Sequence, residues 1–324
     1  MKIAVLALDG VFDTGLSTVL DALGTANELA AMQQLESLRF DVRVVGMRRR
    51  VRTAQGLRVP VHALDDGAHA AARPDWIVIP ALGTKMPEPL QQALARPDVA
   101  DAAALLREAH GAGTACAAAC IGTFVLAESG VLDGRTATTT WWLAPLFRQR
   151  YPHVALDDGH MLVASGNVLT AGAALAHIDM ALWLIRQASP ELAALTAKYL
   201  VVDSRPSQSA YAITNHLAHA DPLVQRFEHW ARRRLAHGFS LAEAADALAT
   251  SKRTLQRRLD EVLGKTPLSY FQDLRVEHAV HLLKTTKLDI ERIAERVGYA
   301  DGVTLRALLR RRLGSGVREI RARG

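Results

Sequence analysis

Cysteine is almost absent from this chain: Cys116 and Cys120 are the two in 324 residues. On one strand they would lie four residues apart on one face, roughly 13 Å. A disulfide needs Cα atoms within about 7 Å, so both are expected as free thiols, which suits the cytoplasm. Long hydrophobic runs are absent too. The longest apolar stretch, residues 115–127, is too short and too interrupted to span a bilayer. No signal peptide is visible, since Met1-Lys2-Ile3 leads straight into a strand-like run. Neither a basic amphipathic helix nor an anchor is seen, which argues against a membrane partner.

What is present is an ample core and an uneven charge. Apolar residues make up 49% of the chain, which excludes a disordered protein. The length suggests two domains. Residues 1–203 hold 17 Lys+Arg and 20 Asp+Glu, a net of −3, whereas residues 204–324 hold 22 and 13, a net of +9. An acidic part joined to a basic one favours a sensor or oligomerisation module attached to a nucleic-acid binder. The expected division is residues 1–203, a linker at 204–221 beginning Ser204-Arg205-Pro206, and a basic domain at 222–324.

The first part alternates strands and helices. Strand-like runs fall at 2–8, 39–45, 75–80 and 114–119, with further strands near 137–140, 161–164 and 168–170. Helical spacing covers 16–32, 87–110, 121–129, 173–187 and 190–200. That order indicates an α/β sandwich with a mainly parallel sheet. The basic run Arg48 to Arg52 reads as a solvated hairpin.

The second part reads as all-α, with two helix-turn-helix motifs. Ser240 and Glu243 form a capping box ahead of Leu241, Ala244, Ala245 and Leu248 at helical spacing. Ser251 caps a second helix over 252–263, whose buried stripe is Leu255, Leu259 and Val262. Arg253, Gln256 and Arg257 lie away from that stripe, with Lys252 and Arg258 near by. Arg can fork onto guanine and Gln onto adenine in the major groove. About fifty residues on, the plan repeats. Asp289 caps a helix ended by Gly298, and Asp301 opens a last helix with Leu305, Leu308 and Leu309 inward. Thr304, Arg306, Arg310 and Arg311 are its DNA-contact candidates, and Arg312 adds charge. Pro267 starts a connecting helix to about residue 283, roughly 25 Å long. Such a strut would let two recognition helices enter successive major grooves.

These residues resemble the AraC/XylS family of transcription regulators. The likeness rests on Gly264-Lys265-Thr266-Pro267-Leu268-Ser269-Tyr270, on Leu274-Arg275-Val276-Glu277-His278-Ala279, and on Ile293 through Tyr299. It implies a sequence-specific regulator that binds promoter or operator DNA, with RNA polymerase as a further partner. It also implies that Arg253, Gln256 and Arg257 read bases. The second motif departs from the pattern: Ala307 stands where the family has Arg, Leu305 and Leu309 where it has aromatics, and Val317 where it has Pro. The second motif is therefore expected to read fewer bases and to rely more on phosphates.

In the first part, Cys120 falls between a small-residue strand and a helix that begins at once, the geometry of a nucleophile elbow. A thiol at a helix N-terminus is expected to have a lowered pKa. The run Ala119 to Ala127, with Gly130 to Arg135 and Ala137-Thr138-Thr139, resembles the PfpI-type, class I glutamine amidotransferase-like fold. That likeness implies a flavodoxin-like α/β sandwich. Enzymes of that superfamily pair the Cys with a His, and here the matching position is Thr140. The acid expected in the first turn is also displaced: Asp13 is there, but Gly15 and Leu16 stand near its place. Without a base, a thiolate cannot readily protonate an amine leaving group. His110, His153, His160 and His177 are read as surface or satisfied core. Cys120 then has three readings: a small residue kept by the fold, a pocket-lining residue, or a residual nucleophile.

The carboxyl ends of the strands are the default ligand site of such a sheet. The effector-pocket candidates are Gly83, Cys120, Ile121, Thr140 and Trp141. An aromatic wall suits a cation, and regulators with this arrangement include some that sense arginine, carnitine or glycine betaine. The expectation is a cytoplasmic, homodimeric regulator controlled by a small effector, for which a nitrogenous metabolite is the candidate, with no catalytic residue, metal or cofactor. The alternative is a cysteine amidase or hydrolase using Cys120 and tethered to DNA.

Overall fold

The computed structural model describes residues 1–35, 38–62, 73–203, 205, 207–208 and 221–322. The chain divides into two units, Met1–Gln208 and Ser209–Gly324.

In the first unit, β1 (Lys2–Leu6) leads into α1 (Asp13–Met32), then β2 (Asp41–Val45) and the hairpin β3 (Arg50–Arg52) and β4 (Arg58–Pro60). Next come β5 (Trp76–Ile79), α2 (Pro87–Leu94), α3 (Pro97–Gly111), β6 (Ala115–Ala119) and α4 (Gly122–Glu128). The unit continues with β7 (Thr136–Ala137), a 3-10 turn at Trp141–Leu143, α5 (Ala144–Arg150), β8 (Ala155–Leu156), β9 (Leu162–Ser165) and β10 (Val168–Ala171). It ends with α6 (Ala176–Ala188) and α7 (Pro190–Tyr199).

Six strands form one sheet in the order β2-β1-β5-β6-β10-β9, parallel except for the antiparallel edge pair β10 and β9. Both faces are covered, as the continuous apolar strands require. Ala4 and Leu6 of β1, with Cys116 and Ala118 of β6, enter the core that includes α3 and α4. The alternate residues Ile3, Val5, Ala117 and Ala119 enter the core that includes α1 and α6. The α/β sandwich with a mainly parallel sheet is therefore the observed fold.

Three expectations change. The helix expected over 87–110 is two, because Pro97 lacks the N–H a continuous helix needs and instead starts α3. The strand expected at 137–140 ends at Ala137, and the two tryptophans sit in the 3-10 turn that follows. Most of the stretch expected as a linker lies outside the described residues, but its described beginning packs on the first unit. Arg205 pairs with Asp179, and Ser207 donates to the Gly159 carbonyl. Gln208 is fully buried, donates to the Thr139 carbonyl at 2.8 Å, and accepts from the Ala173 amide at 3.0 Å.

The second unit is helical: α8 (Pro222–Arg232), α9 (Leu241–Ala247), α10 (Lys252–Leu263), α11 (Pro267–Thr285), α12 (Ile290–Arg296), α13 (Gly302–Leu313) and α14 (Val317–Ala322). The helix opened by Asp301 is thus not the last. Two cores form, and α11 serves both. Tyr270, Phe271 and Leu274 pack with α8, α9 and α10. Val276, Ala279, Leu282 and Leu283 pack with α12, α13 and α14.

Candidate functional sites

Each reader helix is set by its caps. Ser251 Oγ accepts from the Thr254 amide at 3.0 Å, and Asp301 Oδ1 from the Thr304 amide at 2.6 Å. Gly264 and Gly314 close the two helices in the left-handed region, at φ 62° and 66°. The capping box read at Ser240 is half formed. Ser240 Oγ accepts from the Glu243 amide, but the Glu243 carboxylate pairs with Arg234 at 2.7 Å.

Leu255, Leu259 and Leu263 bury one side of α10. Lys252, Arg253, Gln256 and Arg257 are exposed on the other sides. Arg257 donates to Glu261 at 2.9 Å, an exchangeable surface pair. Arg258 differs: its guanidinium reaches Asp221, the N-cap of α8, and also Glu261. It ties α10 to α8 rather than facing outward with its neighbours. On α13, Thr304, Arg306, Arg310 and Arg311 are exposed, and the Thr304 hydroxyl donates back to Asp301. Arg306 lies 3.9 Å from Glu291 of α12. Arg312 turns inward and pairs with Asp273 of α11 at 3.2 Å.

Sequence reasoning missed the clamp between the two motifs. Arg275 of α11 donates to the Leu235 carbonyl at 2.9 Å and to the His237 carbonyl. Its guanidinium lies 4.8 Å from the Phe271 ring centre and 5.1 Å from that of Tyr299. It thus joins the segment before α9 to the turn after α12. Asp273 adds a second tie, pairing with Lys265 after α10 and with Arg312 of α13. The signal was a single Arg among buried positions of α11, at the point where its apolar residues change core.

In the first unit, Cys120 stands where β6 turns into α4, with φ 55°, a conformation that costs an L-residue free energy. The backbone explains how it is held. Its N–H donates to the Ala171 carbonyl at 2.9 Å, and its carbonyl accepts from Thr139 Oγ1 at 2.7 Å. Gly122 permits the close packing, since a Cβ there would sit 2.2 Å from the Ile79 carbonyl oxygen. The elbow geometry is present, but the expected low pKa is not. Burial pushes the Cys120 thiol up to about 12 and outweighs the lowering effect of the Ile121 amide. Desolvation outweighs the end of a helix only seven residues long.

The pocket candidates divide by exposure. Cys120, Ile121 and Thr140 are buried, while Gly83 and Trp141 are partly exposed. Gly83 is a close approach: a Cβ there would lie 2.1 Å from that of Ala54. Trp141 and Trp142 meet edge-to-face at 5.4 Å, so the alternation argued from a strand does not apply to them. Asp13 Oδ2 accepts from the Gln55 amide, whereas Asp13 Oδ1, Thr84 Oγ1 and Thr140 Oγ1 are buried without a hydrogen-bond partner among the described residues.

His177 is a satisfied core residue. Its Nε2 accepts from the Ala81 amide at 3.1 Å and its Nδ1 donates to the Ala174 carbonyl at 2.5 Å. Burial lowers its pKa to about 4, so the ring is neutral. The ring also explains Gly15, where a Cβ would stand 2.6 Å from His177 Nε2. The place where the superfamily's acid was expected is filled by imidazole.

Comparison with known proteins agrees with both halves. Residues 1–187 match the DJ-1/PfpI family, and residues 244–323 match a helix-turn-helix domain. The HTH-type transcriptional regulator GbdR of Pseudomonas aeruginosa is 25% identical over 305 residues, 92% of this chain and 78% of GbdR. The HTH-type transcriptional regulator CdhR of the same species is 29% identical over 188 residues, 55% of this chain, so the match spans about half (54%) of CdhR. In structure, an AraC family transcriptional regulator from Pseudomonas putida matches with TM-score 0.50 at 20% identity, over 61% of this chain and 98% of that one, a likeness of fold. The chain belongs to the DJ-1/PfpI family and carries behind that domain the DNA-binding helix-turn-helix domain of the AraC-type transcriptional regulators.

Proposed function

We propose that the protein is a DNA-sequence-specific transcription regulator whose DJ-1/PfpI domain binds a small effector. The observation that carries this reading is the pair of capped reader helices, α10 and α13, set on one spine with their cationic faces exposed. Lys252, Arg253, Gln256 and Arg257 are the contacts of the first reader, and Thr304, Arg306, Arg310 and Arg311 those of the second. Arg258 contributes as a tie to Asp221 and reaches DNA only by leaving it. The decisive experiment is Arg257→Ala, titrated with salt on a selected duplex and on random DNA. Loss of a bidentate guanine contact costs about 1–3 kcal/mol on the selected site and less on random DNA. Equal proportional losses on both would refute base reading by Arg257.

The effector reading is supported by Asp13 Oδ1, Thr84 Oγ1 and Thr140 Oγ1, three buried polar atoms without a hydrogen-bond partner among the described residues, on segments after β1, β5 and β7. Buried polar atoms ordinarily have partners, and a polar ligand would supply them. The Asp13 carboxylate, and the Trp141 indole that follows Thr140 in the chain, favour a nitrogenous cation. Homodimerisation through the first domain, contact with RNA polymerase and a cytoplasmic location complete the proposal. A thermal-shift screen of metabolites tests it, since a ligand at a hundred times its Kd adds roughly 2.7 kcal/mol. The same domain is read as non-catalytic, because Thr140 replaces the base and the Cys120 thiol is protonated at neutral pH. The strained elbow at Cys120 favours the second reading, a cysteine amidase, which Cys120-dependent hydrolysis of amides would establish.

A further inference from the structure

Helices α10 and α13 are the same object twice, 12 residues each, capped one residue ahead and closed by a left-handed glycine. Their positions correspond at an offset of fifty: Leu255 with Leu305 and Leu259 with Leu309 on the buried side. On the opposite side, the outward stripe of α10 is Arg253, Arg257 and Asp260, and that of α13 is Val303, Ala307 and Arg310. A strip that is ionic on the first helix is thus apolar over two positions on the second. Val303 is 67% exposed, one of the more exposed large hydrophobics described.

From this difference we propose that the second reader recognises thymine 5-methyl groups through Val303 and Ala307, the two forming an apolar centre flanked by arginines. The proposal rests on the DNA-binding reading above. Val303 and Ala307 are four residues apart and so lie one above the other on the face turned away from the core. Arg306 and Arg310 sit three residues beyond each of them, and Arg311 follows. These cations complement the two phosphate walls of a major groove, and the apolar strip between them meets the groove floor. The floor carries one apolar group, the C5-methyl of thymine. Val303 suits that contact because a β-branched side chain has little rotamer freedom to lose. The Thr304 hydroxyl, by contrast, donates to the Asp301 cap and keeps only its acceptor side for DNA. The second reader is accordingly specific in its own chemistry and is more than a phosphate anchor, as its missing Arg at position 307 had suggested.

The test uses the full chain and a duplex it selects from a random pool. Each thymine is replaced singly by deoxyuridine, which removes the methyl and keeps the base pair. One methyl buried against Val303 or Ala307 is worth roughly three- to fivefold in affinity. The expected result is that loss at one or two adjacent thymines, about a helical turn from the guanine whose replacement mimics Arg257→Ala. Val303→Thr, isosteric and on the surface, combined with Ala307→Ser, should abolish the difference between thymine and deoxyuridine there. It should leave the effect of guanine replacement unchanged. Indifference of the unmodified protein to deoxyuridine at every position overturns the proposal and leaves base reading by α10 intact. So does a thymine effect that survives both substitutions. If no sequence is enriched from the pool, the DNA-reading function itself fails, and this proposal with it.

Discussion

Replacing Gly298 by alanine strikes the clamp between the two motifs at its tightest point. Gly298 has φ 80°, and a Cβ on it would lie 2.3 Å from Arg275 Nη2 and 2.4 Å from the Leu235 carbonyl oxygen. Two costs follow. The left-handed backbone alone costs an L-residue about 1–2 kcal/mol. The overlap adds to it, because one neighbour is backbone and the other is a guanidinium held by two carbonyls and two rings. Displacing Arg275 loses at least one charge-assisted hydrogen bond, about 1.5–3 kcal/mol. The sum is about 2.5–5 kcal/mol. Gly134 supplies the control: its φ is 71° and nothing lies within 4 Å of the added Cβ, so Gly134→Ala carries the backbone cost alone. Calorimetry on the full chain should show the helical unit melting roughly 10–40 °C lower in Gly298→Ala, on about 4–8 °C per kcal/mol for a unit of this size. A double-mutant cycle with Arg275→Met should give at least about 1 kcal/mol of coupling. A loss in kcal/mol from Gly298→Ala no larger than the loss Gly134→Ala causes in the first unit, or simple additivity of the two substitutions at the clamp, would refute the clamp.

Four further outcomes follow from the same geometry. Cys120, with its thiol pushed up to about 12, should alkylate with iodoacetamide very slowly at pH 7 and faster only in strongly alkaline solution; rapid labelling near neutrality would contradict its burial. His177 is neutral in the fold, with its pKa lowered to about 4, while the unfolded chain takes up the proton near 6.5. The unfolded state therefore binds more protons between those values, and stability falls as pH drops through that window, by on the order of 3 kcal/mol in full. Urea titrations should show this slope and should show it flattened in His177→Gln. Arg311→Ala should weaken specific and random DNA alike and shallow the salt dependence by about one unit. Arg312→Ala, which breaks the pair with Asp273, should lower the stability of the helical unit while changing that slope less.

The sequence by itself determined most of the elements and the two-part plan. Periodicity placed α10 and α13 because amphipathic spacing and cap residues are local: Ser251, Asp301, Gly264 and Gly314 act within a few residues of where they stand. The alternation of apolar strands and helices, buried on both faces, was equally local and gave the parallel sheet. What the tertiary structure decided was the use of each polar side chain. Arg258 and Arg312 look like their neighbours in the sequence, yet each is turned to a carboxylate on another helix. Arg275 is one residue of a helix until Leu235, His237 and Gly298 meet around it. The Cys120 pKa went opposite to expectation, because desolvation depends on residues distant in the chain, whereas the helix end that would lower it is next to it. Gly15 and His177, 162 positions apart, explain each other only once α1 and α6 are packed together. Capping and periodicity are short-range and written in order along the chain. Desolvation and charge pairing depend on three-dimensional distance, which the order of residues does not contain.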